Sequence, residues 1–209
     1  MAVRAQQTRD LILAAAERLF AEHGVGTVSN RQVSEAAGQG NNTAVGYHFG
    51  TKADLVRAVV RRHSEPIEQI RAQMLAELPA DPRLGDWVGC LVRPVPEYLG
   101  TLGKPTWYAR FGAQAMTDPA LRQIVVDEAL TSPQLQQIRE GLDASLPTLP
   151  ANVRVERGDM ARHLIVHTCA EYERAVAEGL ATPSPTWHHL ATNLADAITG
   201  LLLAPVTTS

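Results

Sequence analysis

The sequence predicts an all-α protein in two parts, a three-helix helix-turn-helix domain over residues 1–62 and a larger helical domain over 63–209. Three observations carry that reading. Apolar residues recur at helical spacing with hardly any strand-like alternation, alanine and leucine dominate, and Pro/Gly clusters cut the chain into segments of helical length.

Each element has its own signal. A first helix starts at about Thr8, a good N-cap, carries Leu11, Ile12, Ala15, Ala16, Leu19 and Phe20 as a buried stripe, and stops at Gly24. A second begins at Ser29, with Gln32 at capping-box spacing. It buries Val33, Ala36 and Ala37 and ends at Gly38 after about two turns. A third spans roughly 42–49, with Asn41 or Asn42 as its cap and Val45 and Phe49 turned inward. Thr51 and Asp54 repeat the capping-box spacing, and Leu55, Val56, Val59 and Val60 form the inner face of a fourth helix. Pro66 is expected to break or kink the helical run there, although Ile67, Ile70, Met74, Leu75 and Leu78 resume the stripe at once. Further helices are expected near 83–102, 105–116, 118–145 with an interruption near Pro133, 155–179 and 186–203.

Composition sets bounds on function. Of the 209 residues 45% are hydrophobic and 20% charged, which suits an ordinary globular chain and neither a disordered nor a fibrous one. No apolar run is long enough to span a bilayer and the first residues lack a signal-peptide core, so no membrane partner and a cytoplasmic location are expected. Cys90 and Cys169 lie inside apolar-periodic segments and read as buried thiols, not a disulfide. The net charge of −3 is unevenly placed. Residues 1–62 hold eight Lys/Arg against five Asp/Glu, a balance of +3, which leaves −6 on the remainder. A basic end on an acidic body suits a chain that offers one end to a polyanion.

Ala36, Ala37 and Gly38 let a short helix and its successor approach closely, as a helix-turn-helix requires. The second helix of such a pair enters the major groove, so its outward residues must be polar, small or hydrogen-bonding. Asn41, Asn42, Thr43, Gly46, Tyr47 and His48 satisfy this, and Lys52 adds an ammonium at the next helix start, where backbone N–H groups already favour a phosphate. Arg31, on the preceding helix, completes the expected DNA-binding set.

The stretch Ser29-Asn30-Arg31-Gln32-Val33-Ser34-Glu35-Ala36-Ala37-Gly38, followed by Tyr47-His48-Phe49-Gly50-Thr51-Lys52-Ala53-Asp54-Leu55, resembles the tetracycline-repressor (TetR) family. The resemblance covers about residues 8–62. Ten residues separate Gly38 from Phe49, one more than the commonest family pattern, so Gly46 falls where a tyrosine often sits. The resemblance implies a homodimeric transcriptional repressor that binds a palindromic double-stranded operator and is released by a small-molecule effector. It also implies that the larger domain binds the ligand and forms the dimer. A transcriptional activator with the same head is the alternative.

For the dimer, Leu190, Leu194, Ala197, Ile198, Leu201 and Leu202 make a broad apolar face, partnered by a helix carrying Ala161, Leu164, Ile165, Thr168, Cys169, Tyr172 and Val176. For the ligand pocket the candidates are Met74, Trp87, Cys90, Trp107, Phe111 and Met116, with His167 and Tyr172 as polar groups. The absence of a run of acids or bases points to an apolar or weakly polar ligand. His163, His167 and Glu171 share one helix face at four-residue spacing, the basis of a second alternative, a metal-dependent hydrolase. A polar stripe is the plainer reading of those three. No nucleophile elbow, phosphate-binding glycine loop or two-His zinc-protease pattern occurs, so no enzyme, metal or cofactor is expected.

Overall fold

The computed structural model describes residues 2–41, 43–103, 106–146 and 149–206. It is built of eleven helices, with no strand among the described residues. They divide into two compact units, residues 1–64 with 107–129 and residues 65–106 with 130–209.

The first unit contains α1 (Ala2–His23), α2 (Asn30–Ala36), α3 (Ala44–Phe49), the start of α4 (Lys52–Ala76), α7 (Tyr108–Thr117) and most of α8 (Pro119–Leu130). α1 begins six residues before the expected Thr8, and Thr8 lies inside it. Its stop is as expected, because Gly24 adopts φ 85°, a conformation other residues rarely take. The core is formed by Ile12, Ala16 and Phe20 of α1, Val33, Val45, and Leu55, Val56 and Val59 of α4. α7 completes it: Phe111 is fully buried, with its ring 6.3 Å from that of Phe20. Beside them the His63 ring stacks on Tyr108 at 4.0 Å, and its Nε2 lies 2.8 Å from Glu17 Oε2. That pairing lets a carboxylate on α1 be buried.

The second unit contains the rest of α4 with α5 (Leu84–Val92), α6 (Pro94–Thr101), α9 (Pro133–Ser145), α10 (Ala151–Ala177) and α11 (Trp187–Leu203). Pro66 does not break α4, which continues to Ala76; what the proline removes is one N–H, that owed to the Arg62 carbonyl. Pro94 does divide the expected 83–102 helix, and Pro133 starts α9 as its first residue. Because Pro94 has no N–H to give, the Cys90 carbonyl loses its helical partner. The buried Arg71 supplies one instead, donating to Cys90 O at 2.8 Å and Leu91 O at 3.3 Å, while Glu68 holds its Nε at 2.9 Å. Glu68 also accepts from the Ser132 hydroxyl, and Ser132 caps α9 by accepting from Leu135 N. α5 and α11 pack side by side, and α5 also meets α9, where Gly141 faces the Trp87 ring. Both cysteines are free and buried. Burial pushes the Cys90 thiol up and the Cys169 thiol up to about 12, so both stay protonated at neutral pH.

Candidate nucleic-acid interface

α2 is only seven residues long, so its ends decide whether it forms. Ser29 Oγ accepts from Gln32 N at 3.2 Å and Gln32 Oε1 accepts from Ser29 N at 2.8 Å, the reciprocal cap the spacing called for. Gly38, at φ 68°, then turns the chain. One expectation is corrected here: Ala37 is buried but Ala36 is exposed, because α2 ends at Ala36 and the turn rotates the next position inward. The turn is tied to α3 from within. The buried Ser34 hydroxyl donates to Asn30 O and accepts from Val45 N at 3.4 Å.

α3 starts at Ala44, later than expected. Asn41 Oδ1 accepts from Thr43 N at 2.9 Å and from Thr43 Oγ1 at 2.7 Å, closing a side-chain turn ahead of the helix, whereas Thr43 itself makes no side-chain cap. Asn42 lies outside the described residues. Ala44 and Val45 point into the core. Tyr47 points out, at 85% exposure the most open of the large hydrophobic side chains described in the head, in edge contact with the His48 ring at 5.0 Å. Gly46 is exposed as well, and a methyl there would meet nothing within 4 Å. No internal packing therefore explains a glycine in a helix where alanine is better by about 1 kcal/mol.

The remaining candidates divide. Arg31 lies on the exposed side of α2 and pairs with Glu35 at 2.8 Å. Lys52 is the first residue of α4, as expected, but its Nζ is turned to Val25 O at 3.0 Å, so one of its three donors already serves the turn after α1. The cap beneath it is the expected pair: Thr51 N and Oγ1 donate to Asp54 Oδ2, and Asp54 N donates to Thr51 Oγ1. The Thr51 hydroxyl and amide, helped by Arg57, hold the Asp54 carboxyl below its usual range. Sequence reasoning missed Arg9 altogether. Its guanidinium lies 4.4 Å from the centre of the Phe49 ring and donates to the His48 carbonyl at the end of α3. With His48, Arg57, Arg61 and Arg62 it lines a cleft of about 560 Å³. Arg57 and Arg61 also share Glu128 of α8.

These features make a short capped helix, a glycine turn, and a second short helix with its polar side turned outward, the build of a DNA-reading helix pair. Residues 12–59 match the model of bacterial regulatory proteins of the tetR family. The head, over those residues, is of the tetR type. Over 78 residues it is 35% identical to the HTH-type transcriptional regulator AcrR of Shigella flexneri, a match that spans 37% of this chain and 36% of that one. The tetR-type fold extends further than the sequence likeness. NalD of Pseudomonas aeruginosa, the secondary repressor of the MexAB-OprM multidrug efflux pump, superposes with a TM-score of 0.57 over 96% of this chain and 98% of its own, at 23% identity. A TetR family transcription regulator from Marinobacter aquaeolei VT8 does so with 0.54 over 95% and 98%, at 18% identity.

The eight pocket candidates are divided between the two units. Trp107, Phe111 and Met116 belong to the first unit, where Phe111 is core and Trp107 packs against that core, stacked under Arg110 at 4.2 Å. Met74, Trp87 and Cys90 belong to the second, with Cys90 buried under Arg71. His167 and Tyr172 line a shallow pocket of about 540 Å³ with Thr168, Glu171 and Leu190. The metal alternative is not favoured: Glu171 turns to Arg174 at 3.5 Å, and among the described residues no group of three His, Cys, Asp or Glu is placed to hold an ion. Most of the apolar face expected on α11 is used within the chain, since Leu190, Leu194, Ile198 and Leu202 are buried against its own neighbours while Ala197 is exposed. No helix among the described residues is long and apolar enough to cross a membrane.

Proposed function

We propose that the protein is a transcriptional repressor that binds a palindromic DNA operator as a homodimer and is released by a small, largely apolar effector held in its second unit. The observation that carries this reading is the outward face of α3. Tyr47 is almost fully exposed and Gly46 leaves a bare patch of helix beside it, on an element fixed from behind by Val45 and Ser34. Such a face has no use for folding. It fits a surface that must come close to a base edge or a phosphate, with Asn41, Thr43 and His48 around it, Arg31 and Lys52 at the flanks, and Arg9 joining them.

A dimer is supported by Met160 and Leu164 on α10 and Leu203 on α11. These large apolar side chains are left exposed on two helices that pack together. Two heads held about 34 to 36 Å apart reach successive major-groove half-sites. Effector binding moves α4, changes that spacing and releases the operator. To turn the switch from mostly bound to mostly free, the effector must prefer the released form by about 5 kcal/mol.

The test is selection of host genomic fragments by the purified protein, followed by transcription of the neighbouring gene with and without it. Enrichment of fragments sharing an inverted repeat, with transcription lowered by the protein, is the expected result. Raised transcription would favour an activator, and no enrichment over bulk DNA would overturn the reading.

A further inference from the structure

In the second unit, residues of α5, α9, α10 and α11 line a half-open pocket of about 570 Å³, within the range of small-molecule sites. Its wall is largely apolar, with Leu91, Leu142, Ile165, Val166 and Leu202 among the lining residues. Four arginines also line it, Arg139, Arg154, Arg157 and Arg162, against one carboxylate, Asp143.

Arg157 is the unusual member. It is only 8% exposed, and its guanidinium donates to Leu202 O at 3.0 Å and Pro205 O at 3.3 Å, past the end of α11. Carbonyls satisfy N–H donors but do not neutralise a charge. Among the described residues no carboxylate pairs with it, although buried charges are normally paired. The other arginines leave the imbalance in place. Arg154 meets Asp143 at 3.5 Å, Arg162 turns to Asp159 at 3.0 Å, and the Arg139 guanidinium has no partner among the described residues. An apolar cavity with excess positive charge suits an occupant with a hydrocarbon body and one anionic end. A neutral or cationic molecule would leave Arg157 uncompensated, and a polyanion would strand charge against leucines.

Arg157, Ala161 and Ile165 reach the pocket from one side of α10, at four-residue spacing.

We infer that this cavity binds a hydrocarbon carboxylic acid as its anion, with the carboxylate at the arginines and the chain among the leucines. Resting on the ligand-released reading above, such an acid is the effector. It is a more polar ligand than the missing charge runs had suggested, because the four arginines come to line one pocket only on folding.

Calorimetric titration of the full-length protein with decanoate, decan-1-ol and decyltrimethylammonium tests the site. Decanoate is expected to bind once per chain, about tenfold or more tighter than the alcohol, with no binding of the cation. Arg157→Met can unravel the end of α11, so two milder variants decide the matter. Arg139→Glu is expected to weaken decanoate about tenfold and leave the alcohol unchanged. Gly158 lines the cavity, and a Cβ there meets nothing within 4 Å, so Gly158→Phe fills the space and should abolish binding while the circular dichroism spectrum is kept. Equal affinity for acid and alcohol, or decanoate binding that survives Gly158→Phe, would overturn the inference. Operator binding, measured separately, tells the two readings apart. Decanoate that fills the site without loosening the duplex refutes its role as effector, whereas failure of the unliganded protein to bind any duplex refutes the repressor reading and leaves the site standing.

Discussion

The Gly141 backbone lies against the indole ring of Trp87 so closely that a methyl group at residue 141 would overlap it. This contact is what lets α5 and α9 approach. In an open helix, replacing glycine by alanine stabilises by about 1 kcal/mol. Here overlap dominates, and Gly141→Ala should destabilise the protein by about 1–3 kcal/mol in urea unfolding. The same change made in a Trp87→Leu background should be neutral or stabilising. A loss of equal size in both backgrounds would show that the ring is not the cause.

Ser29 and Gln32 close the start of α2 reciprocally, and a helix of seven residues has little else to hold its first turn. Ser29→Ala is expected to lower stability by about 1 kcal/mol in chemical denaturation. Thr43→Ala removes no side-chain cap from α3 and should be clearly milder. Equal losses would contradict the assignment of the two termini.

Gly46 separates stability from function. Gly46→Ala meets no neighbour, so it should stabilise the head by about 1 kcal/mol. The same methyl group should weaken duplex binding about tenfold, if the bare patch is where DNA approaches. Anisotropy titration of a selected fragment checks this, and unchanged affinity would mean that the patch faces solvent only.

Both thiols are buried and held protonated, Cys169 the more strongly of the two. Neither should react with a thiol reagent in the native protein at neutral pH over a time in which both react in urea. Rapid native labelling of Cys169 would show that α10 and α11 part far more readily than their packing suggests.

What the sequence made legible is what local spacing encodes. The boxes at Ser29/Gln32 and Thr51/Asp54, the stops at Gly24 and Gly38, and the division at Pro133 depend on residues within a few positions of one another. Contacts between distant elements were not legible. Phe111 has the apolar spacing of any buried helix, and nothing near it says that α7 completes the core of α1 and α4. Arg9 reads as a surface residue until folding brings it under the end of α3, and Lys52 reads as free until it meets Val25 O. For the same reason the pocket candidates, chosen for bulk and softness, scattered over two units, while Arg139, Arg154, Arg157 and Arg162, which share a cavity, look unrelated in the sequence.

The most direct test of the central claim, that the outward face of α3 binds duplex DNA, is anisotropy titration of a selected genomic fragment with the wild-type protein and Tyr47→Ala across a range of salt concentrations. Tyr47 is exposed enough that its loss should leave stability unchanged. The wild type should bind as two chains per fragment, with affinity falling steeply as salt rises, and Tyr47→Ala should bind about tenfold more weakly. Wild-type affinity no higher for the selected fragment than for bulk DNA, or equal affinity of the two proteins, would contradict the account.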